Sequence, residues 1–237
     1  MASALPDIDG GRPRPPSGDD VPAYRAYYRE HIRPARYSRH LHMLVHLGPV
    51  LAACLWATTQ LHGVLLREWL TLPIGAALAS WFVYWFHRRV LHRRRAFAPF
   101  LYVKHTKEHH RFYTYDHITP DEGADLHITL FPWWAGALVV GATSALALGL
   151  QPVLGDNTAL LVLLLSNGYL LAYEVIHTIS HLPDGHWLTR MPVLSQLREH
   201  HRLHHDPALM ARHNFNIVLP LFDWIYGALV RTRPSGD

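Results

Sequence analysis

Ten of the 20 histidines in this 237-residue chain fall into four tight groups. They are His87/His92 in HRRVLH, His105/His109/His110 in HTKEHH, His177/His181 in HTISH and His201/His204/His205 in HRLHH. An α-helical turn takes about 3.6 residues, so side chains three to five residues apart share neighbouring surface of one helix. Imidazole is the commonest protein metal ligand and suits iron, zinc and copper. Ten such ligands exceed the needs of one ion. They suit two metals with about five each, leaving a position for oxygen or substrate. HTISH and HRLHH let one helical face present two or three imidazoles to a common centre. HTKEHH adds an adjacent histidine that can turn to the second metal, and the longer step in HRRVLH fits a helix end or a bent turn.

The elements that must position these groups are apolar. Mean hydropathy is 0.00, but the polarity is strongly segregated. Residues 41–64, 69–86, 128–155 and 157–173 carry no Asp, Glu, Lys or Arg. A bilayer-spanning helix needs about 20 mainly apolar residues. Four such windows in so small a chain predict an all-α integral membrane protein: four transmembrane helices in two hairpins, with a cytoplasmic helical metal-binding cap. Of 22 Lys and Arg, only Arg67 falls in an outer loop. The positive-inside rule then puts the metal groups and both termini on the cytoplasmic side. The pI near 9.3 therefore calls for no nucleic acid. Arg88, Arg89, Arg93, Arg94 and Arg95 abut a span and are expected to meet anionic headgroups of membrane lipids. The single cysteine, Cys54, lies mid-span as a small packing residue. Arg outnumbers Lys 20 to 2, which points to a GC-rich bacterium and to its inner membrane rather than the endoplasmic reticulum.

Along the chain, residues 1–20 read as a disordered Pro/Gly/Asp-rich tail without the apolar core of a signal peptide. Residues 21–40 read as an interfacial helix, with Tyr24, Tyr27, Tyr28 and Ile32 at helical spacing. Residues 41–237 form the membrane domain. Turns are expected at residues 65–68 and 151–156, and an interfacial entry at Pro132, Trp133 and Trp134. Residues 216–230 are apolar but too short to span, so they should pack on the cap or dip into the interface. All four histidine groups then reach one membrane face.

Ligand histidines commonly donate their second N–H to a carboxylate or carbonyl. Glu174, three residues before His177, is the leading candidate, because an ionisable residue at that depth is functional by default. Asn214 follows the last group and can hydrogen-bond a ligand imidazole. Asp121, Glu122, Glu199 and Asp206 read as surface charge. His31, His40, His42, His46 and His62 read as interfacial or packing residues. His117, His127, His186, His200 and His213 read as outer groups, with His186 the one best placed to replace a ligand.

The order HX4H, HX3HH, HX3H, HX2HH, threaded through two membrane hairpins, resembles the fatty acid hydroxylase/sterol desaturase superfamily. The ending HRLHHDPALMARHNFNIVLPLFDWIYGAL is similar to that family's ending, and the resemblance covers residues 80–230. The second box is one residue longer than the commoner HX2HH. The resemblance implies a membrane di-iron centre, with zinc as the alternative occupant of the same nitrogens. It also implies O2 as co-substrate and oxidation of an unactivated C–H bond in a lipid-like hydrophobic substrate. No fused haem domain is present, so electrons are expected from a separate ferredoxin or small haem protein. The last box favours hydroxylation over desaturation. Trp81, Tyr84, Trp85, Tyr169 and Tyr173 are candidates to shape an apolar pocket between the hairpins. Two other classes remain open: a membrane metal carrier without redox turnover, and a structural lipid-binding protein with a dead site.

Overall fold

The structure is a computed structural model that describes residues 13–233. Among the described residues every regular element is helical. Four helices are long and apolar enough to cross a membrane: Arg39–Gln60, Glu68–Leu91, Ala135–Leu154 and Asp156–Ser180. Their outward faces carry Leu44, Leu55, Trp56, Ile74, Leu78, Phe82, Leu138 and Leu148, all exposed. A water-soluble bundle would bury such continuous apolar surface, whereas lipid matches it. The chain is a membrane protein.

The fourth span is the axis of the bundle. It buries 39% of its apolar window, against 6–17% for the other three, and it packs on all of them. Asn167 ties it to the third span, donating to Thr143 Oγ1 at 3.0 Å. The hinge between these two spans is narrower than the expected turn. The third span runs through Pro152 to Leu154, and only Gly155, with φ of 83°, breaks the helix. Glycine adopts that left-handed value without the Cβ clash of other residues.

The N-terminal part departs from expectation. The tail reading of residues 1–12 lies outside the described residues. Residues 13–20 lie against the protein: Arg111 donates to the carbonyls of Pro16 and Gly18, and the Tyr27 hydroxyl donates to Pro13 O at 2.7 Å. The helix expected over residues 21–40 ends at His31, because Arg33 precedes Pro34 and that position disfavours helical backbone. A new helix starts at Arg39, where Ser38 Oγ accepts from Leu41 N. The aromatic stripe of the short helix is turned to protein. Tyr24 and Tyr28 are buried against Phe112, Tyr113, Ile118 and Ile128. Arg25 and Arg29 on the helix, and Arg33 just after it, pair with Asp121, Glu122 and the buried Asp125; Asp121 and Glu122 lie at the surface, as expected, but as ion-pair partners.

Residues 216–230 pack on the cap and on the second span. Asp223 accepts from the backbone N–H of Phe215 and of Asn216, both at 2.7 Å. Asn216 donates to Ser80 O at 2.8 Å, and Ser80 Oγ donates to Leu219 O at 2.8 Å.

Candidate metal centre

Two π-helical turns carry the first two boxes: His87–Leu91 closes the second span, and Val103–His109 lies in the cap segment that follows it. A π turn closes i to i+5, so it stacks side chains five residues apart and is frequent at functional sites. His87 and His92 are brought together in this way, with ring centroids 5.0 Å apart, and His105 and His110 meet edge to face at 4.8 Å; the His92 and His110 amides bond back to His87 O and His105 O. The extra residue in the second box is the one the π turn absorbs.

The imidazoles converge as two groups. His87, His92, His105, His110 and His204 form one, and His109, His177, His181 and His201 form the other. Within each group the ligand atoms lie within 4.8 Å of one another. Adjacent His109 and His110 therefore serve different groups, as the HTKEHH spacing suggests. HRLHH does not serve one centre, as expected, but is divided: His204 joins the first group and His201 the second. His205, the tenth, stands between them. Its Nε2 is 3.0 Å from His201 Nε2 and 3.2 Å from His109 Nε2, and its ring stacks on His110 at 4.3 Å.

The protein fixes which nitrogen faces inward. The Nδ1 atoms of His87, His109, His181, His204 and His205 lie 2.5–3.1 Å from the carbonyls of Phe215, Ile128, Ile118, His213 and Tyr113. A carbonyl only accepts, so each Nδ1 carries the proton and each neutral Nε2 presents a lone pair. Thr106 donates to Leu91 O at 2.7 Å, which leaves its oxygen to accept from His92 Nδ1 at 3.4 Å. The Nε2 atoms nonetheless approach one another: His92 to His204 at 3.0 Å, and His109 to His205 at 3.2 Å. Two lone pairs cannot hydrogen-bond each other. They fit a shared cation, since nitrogens about 2.0–2.1 Å from one ion can sit about 3 Å apart. Burial, reinforced by the neighbouring imidazoles, holds His92, His105, His110, His181, His201, His204 and His205 well below the ordinary 6.5. It brings His109 to about 4. Neutral imidazole is the form that binds metal.

The other expected site residues take different partners. Glu174 is buried, but its carboxylate meets His46 rather than a ligand of either group: Oε1 is 2.9 Å from His46 Nε2 and accepts from Phe131 N at 3.1 Å. Gly136 N donates to His46 Nδ1 at 3.0 Å, so His46 carries its proton on Nε2 and donates to Glu174. A Cβ at Gly136 would collide with His46 O, so only glycine permits this approach. His46 is thus a polar partner rather than plain packing. Its signal in the sequence is a histidine inside a charge-free span, four residues after His42. Asn214 donates to His200 O and Val230 O, at 3.0 and 2.9 Å, and does not meet a ligand ring. Its φ of 57° makes the turn that follows His213, whose carbonyl receives His204. His186 caps a short turn through Leu188 N and joins neither group. Asp206 pairs with Arg233 at 2.7 Å, and Glu199 accepts from Tyr115 at 3.2 Å.

A cavity of about 580 Å³ opens beside the second group. His105, His109, His177 and Tyr173 form its inner wall. Leu41, Val45, Phe100, Trp133 and Trp134 line its lipid-side mouth and are themselves exposed. Of the aromatic residues expected to shape it, Tyr173 does so. Trp81 and Trp85 point outward, and Tyr84 packs on Phe215 and Tyr226.

The sequence profile of the fatty acid hydroxylase family matches residues 72–228, which takes in the third and fourth spans, nearly all of the second, and all four histidine boxes. No curated protein and no solved structure gives a match.

Proposed function

The chain belongs to the fatty acid hydroxylase family, and on that premise we propose that it is a di-iron membrane oxygenase that hydroxylates an unactivated C–H bond of a hydrophobic, lipid-like substrate. The observation that carries this reading is the convergence of proton-free Nε2 atoms in two groups, beside a cavity that opens toward lipid. Two irons held there would supply activation of O2 and oxidation of the C–H bond, with electrons from a separate ferredoxin or small haem protein.

The chain's own residues do the rest. Backbone carbonyls hold five of the imidazoles at fixed tilt, and this outer layer orients the ligands. The apolar mouth admits a chain sideways from the bilayer, and Tyr173, Leu130 and Phe131 exclude water around it. The distribution of Lys and Arg supports a cytoplasmic placement of the cap and both termini, and the Arg excess supports a bacterial inner membrane. A metal carrier is the competing reading. Transport sites lie near the bilayer midplane on broken helices, whereas these groups gather at one end of the spans.

The test is elemental analysis of protein purified in mild detergent from iron-supplemented cells, with spectra before and after O2. Iron in both groups, with a signal that changes on reduction and reoxidation, is the expected result. Zinc that iron supply does not displace would favour the carrier, and metal-free protein would overturn the ligand assignment.

A further inference from the structure

The cavity has a polar side that metal chemistry does not use. Tyr28, Tyr37, His42 and His127 all line it, away from the two imidazole groups. Their rings form one wall. Tyr37 lies 4.9 Å from His127 and 5.6 Å from His42, and Tyr28 lies 5.9 Å from His127, centroid to centroid. They come from three separate parts of the chain and converge only in the fold.

The hydrogen bonds fix what this wall can offer. His42 Nε2 is 2.9 Å from Phe131 O, a pure acceptor, so Nε2 carries the proton and Nδ1 is bare. Tyr37, 3.0 Å from that Nδ1, must donate to it. Burial pushes the Tyr37 phenol up to about 12, so it keeps the proton it donates. The Tyr37 oxygen is left able only to accept. His127 bonds Tyr28 through Nδ1 at 2.7 Å, which leaves Nε2 for a ligand.

We propose that this wall is a recognition subsite for a hydroxyl group at one end of the lipid substrate, with the Tyr37 oxygen accepting the hydroxyl proton and His127 completing the pair. The proposal rests on the oxygenase reading for the word substrate, but the subsite itself rests on the hydrogen bonds. An ionised carboxylate only accepts and would face the Tyr37 lone pairs. An unsubstituted hydrocarbon would leave the wall unsatisfied. Two lining cations would favour a carboxylate instead: Arg36, exposed at the rim, and Lys104, which is already paired with Glu108 at 2.7 Å.

The wall can be tested without turnover. Trp133 and Trp134 stand at the mouth, so bromine-tailed probes entering the cavity quench their fluorescence. Three probes of equal chain length are compared on the full chain in nanodiscs: a primary alcohol, a carboxylic acid and a hydrocarbon. The alcohol should half-quench at a concentration about two- to tenfold below the other two, as one hydrogen bond allows. Tyr37→Phe should bring the alcohol to the hydrocarbon's level, and Arg36→Gln should leave its advantage intact. Equal quenching by all three probes on the unsubstituted chain, or a preference of that chain for the carboxylate, would overturn the subsite, and neither depends on any variant folding. Oxidation is then assayed separately. A hydroxyl preference without oxidised product sinks the oxygenase reading and spares the subsite; oxidation without the preference does the reverse.

Discussion

The clustered histidines and His46 are the same residue type, buried in the same molecule, and they come to opposite states. In five of the clustered rings a backbone carbonyl takes the Nδ1 proton, and Nε2 is turned inward with nothing to donate. In His46 a backbone N–H from Gly136 occupies Nδ1, and the proton moves to Nε2 and goes to Glu174. One ring is built to need a cation; the other is complete without one. The difference lies in whether the backbone supplies an acceptor or a donor. The residue type does not encode it.

The most severe way to break this contrast is to remove a ring whose lone pair faces another. His109→Ala should abolish product formation and strip the metal from its group, while the group around His92 and His204 keeps its own. Metal-to-protein ratios check this. Unchanged metal content would show that the Nε2 approach of His109 and His205 has some other cause.

Acid should act on the clustered rings next. His109 sits at about 4 in the fold against an ordinary 6.5. Between those values the unfolded chain binds more protons than the native one, so stability falls as pH falls. It is fully present above 6.5 and is lost progressively toward 4, each such ring contributing up to about 1.4 kcal/mol per pH unit. Thermal unfolding of chelator-stripped protein across this window should show the decline. A flat profile would mean the rings are not held neutral.

His46→Leu separates the two states from the other side. Breaking a buried pair while leaving the charge costs about 3–5 kcal/mol. The variant should unfold at lower temperature, yet its folded fraction should keep its full metal content. Loss of metal at unchanged stability would make His46 a ligand after all. Glu174→Gln, which keeps an acceptor for His46, should be milder.

The fold was largely legible because spans announce themselves by length and missing charge, and the four boxes because imidazoles at helical spacing are conspicuous. What stayed hidden depends on partners far away in sequence. Glu174 is expected to meet a ligand imidazole, but its partner, His46, lies 128 residues away. The pairing of His87 with His92 and of His105 with His110 follows from two π turns, and helical spacing assumes 3.6 residues per turn throughout. The short helix at residues 21–31 shows an aromatic stripe that fits a membrane surface as well as it fits Phe112 and Tyr113. Periodicity reports a buried face and is silent on what buries it.

The smallest expected effect tests whether a side chain can replace a backbone carbonyl in orienting a ligand. Among the rings whose Nδ1 partner is defined, His92 alone relies on a hydroxyl, Thr106, at 3.4 Å. That length is at the weak end for a hydrogen bond. Thr106→Val keeps the shape and removes the acceptor, so metal affinity should fall by less than the 10- to 100-fold typical of groups that orient a ligand, about two- to fivefold. Thr106→Ser should restore it. Competition with a chelator of known affinity measures the difference. A loss as large as that of His109→Ala would show that His92 is held by this one contact, and that its π turn contributes nothing to aiming the ring.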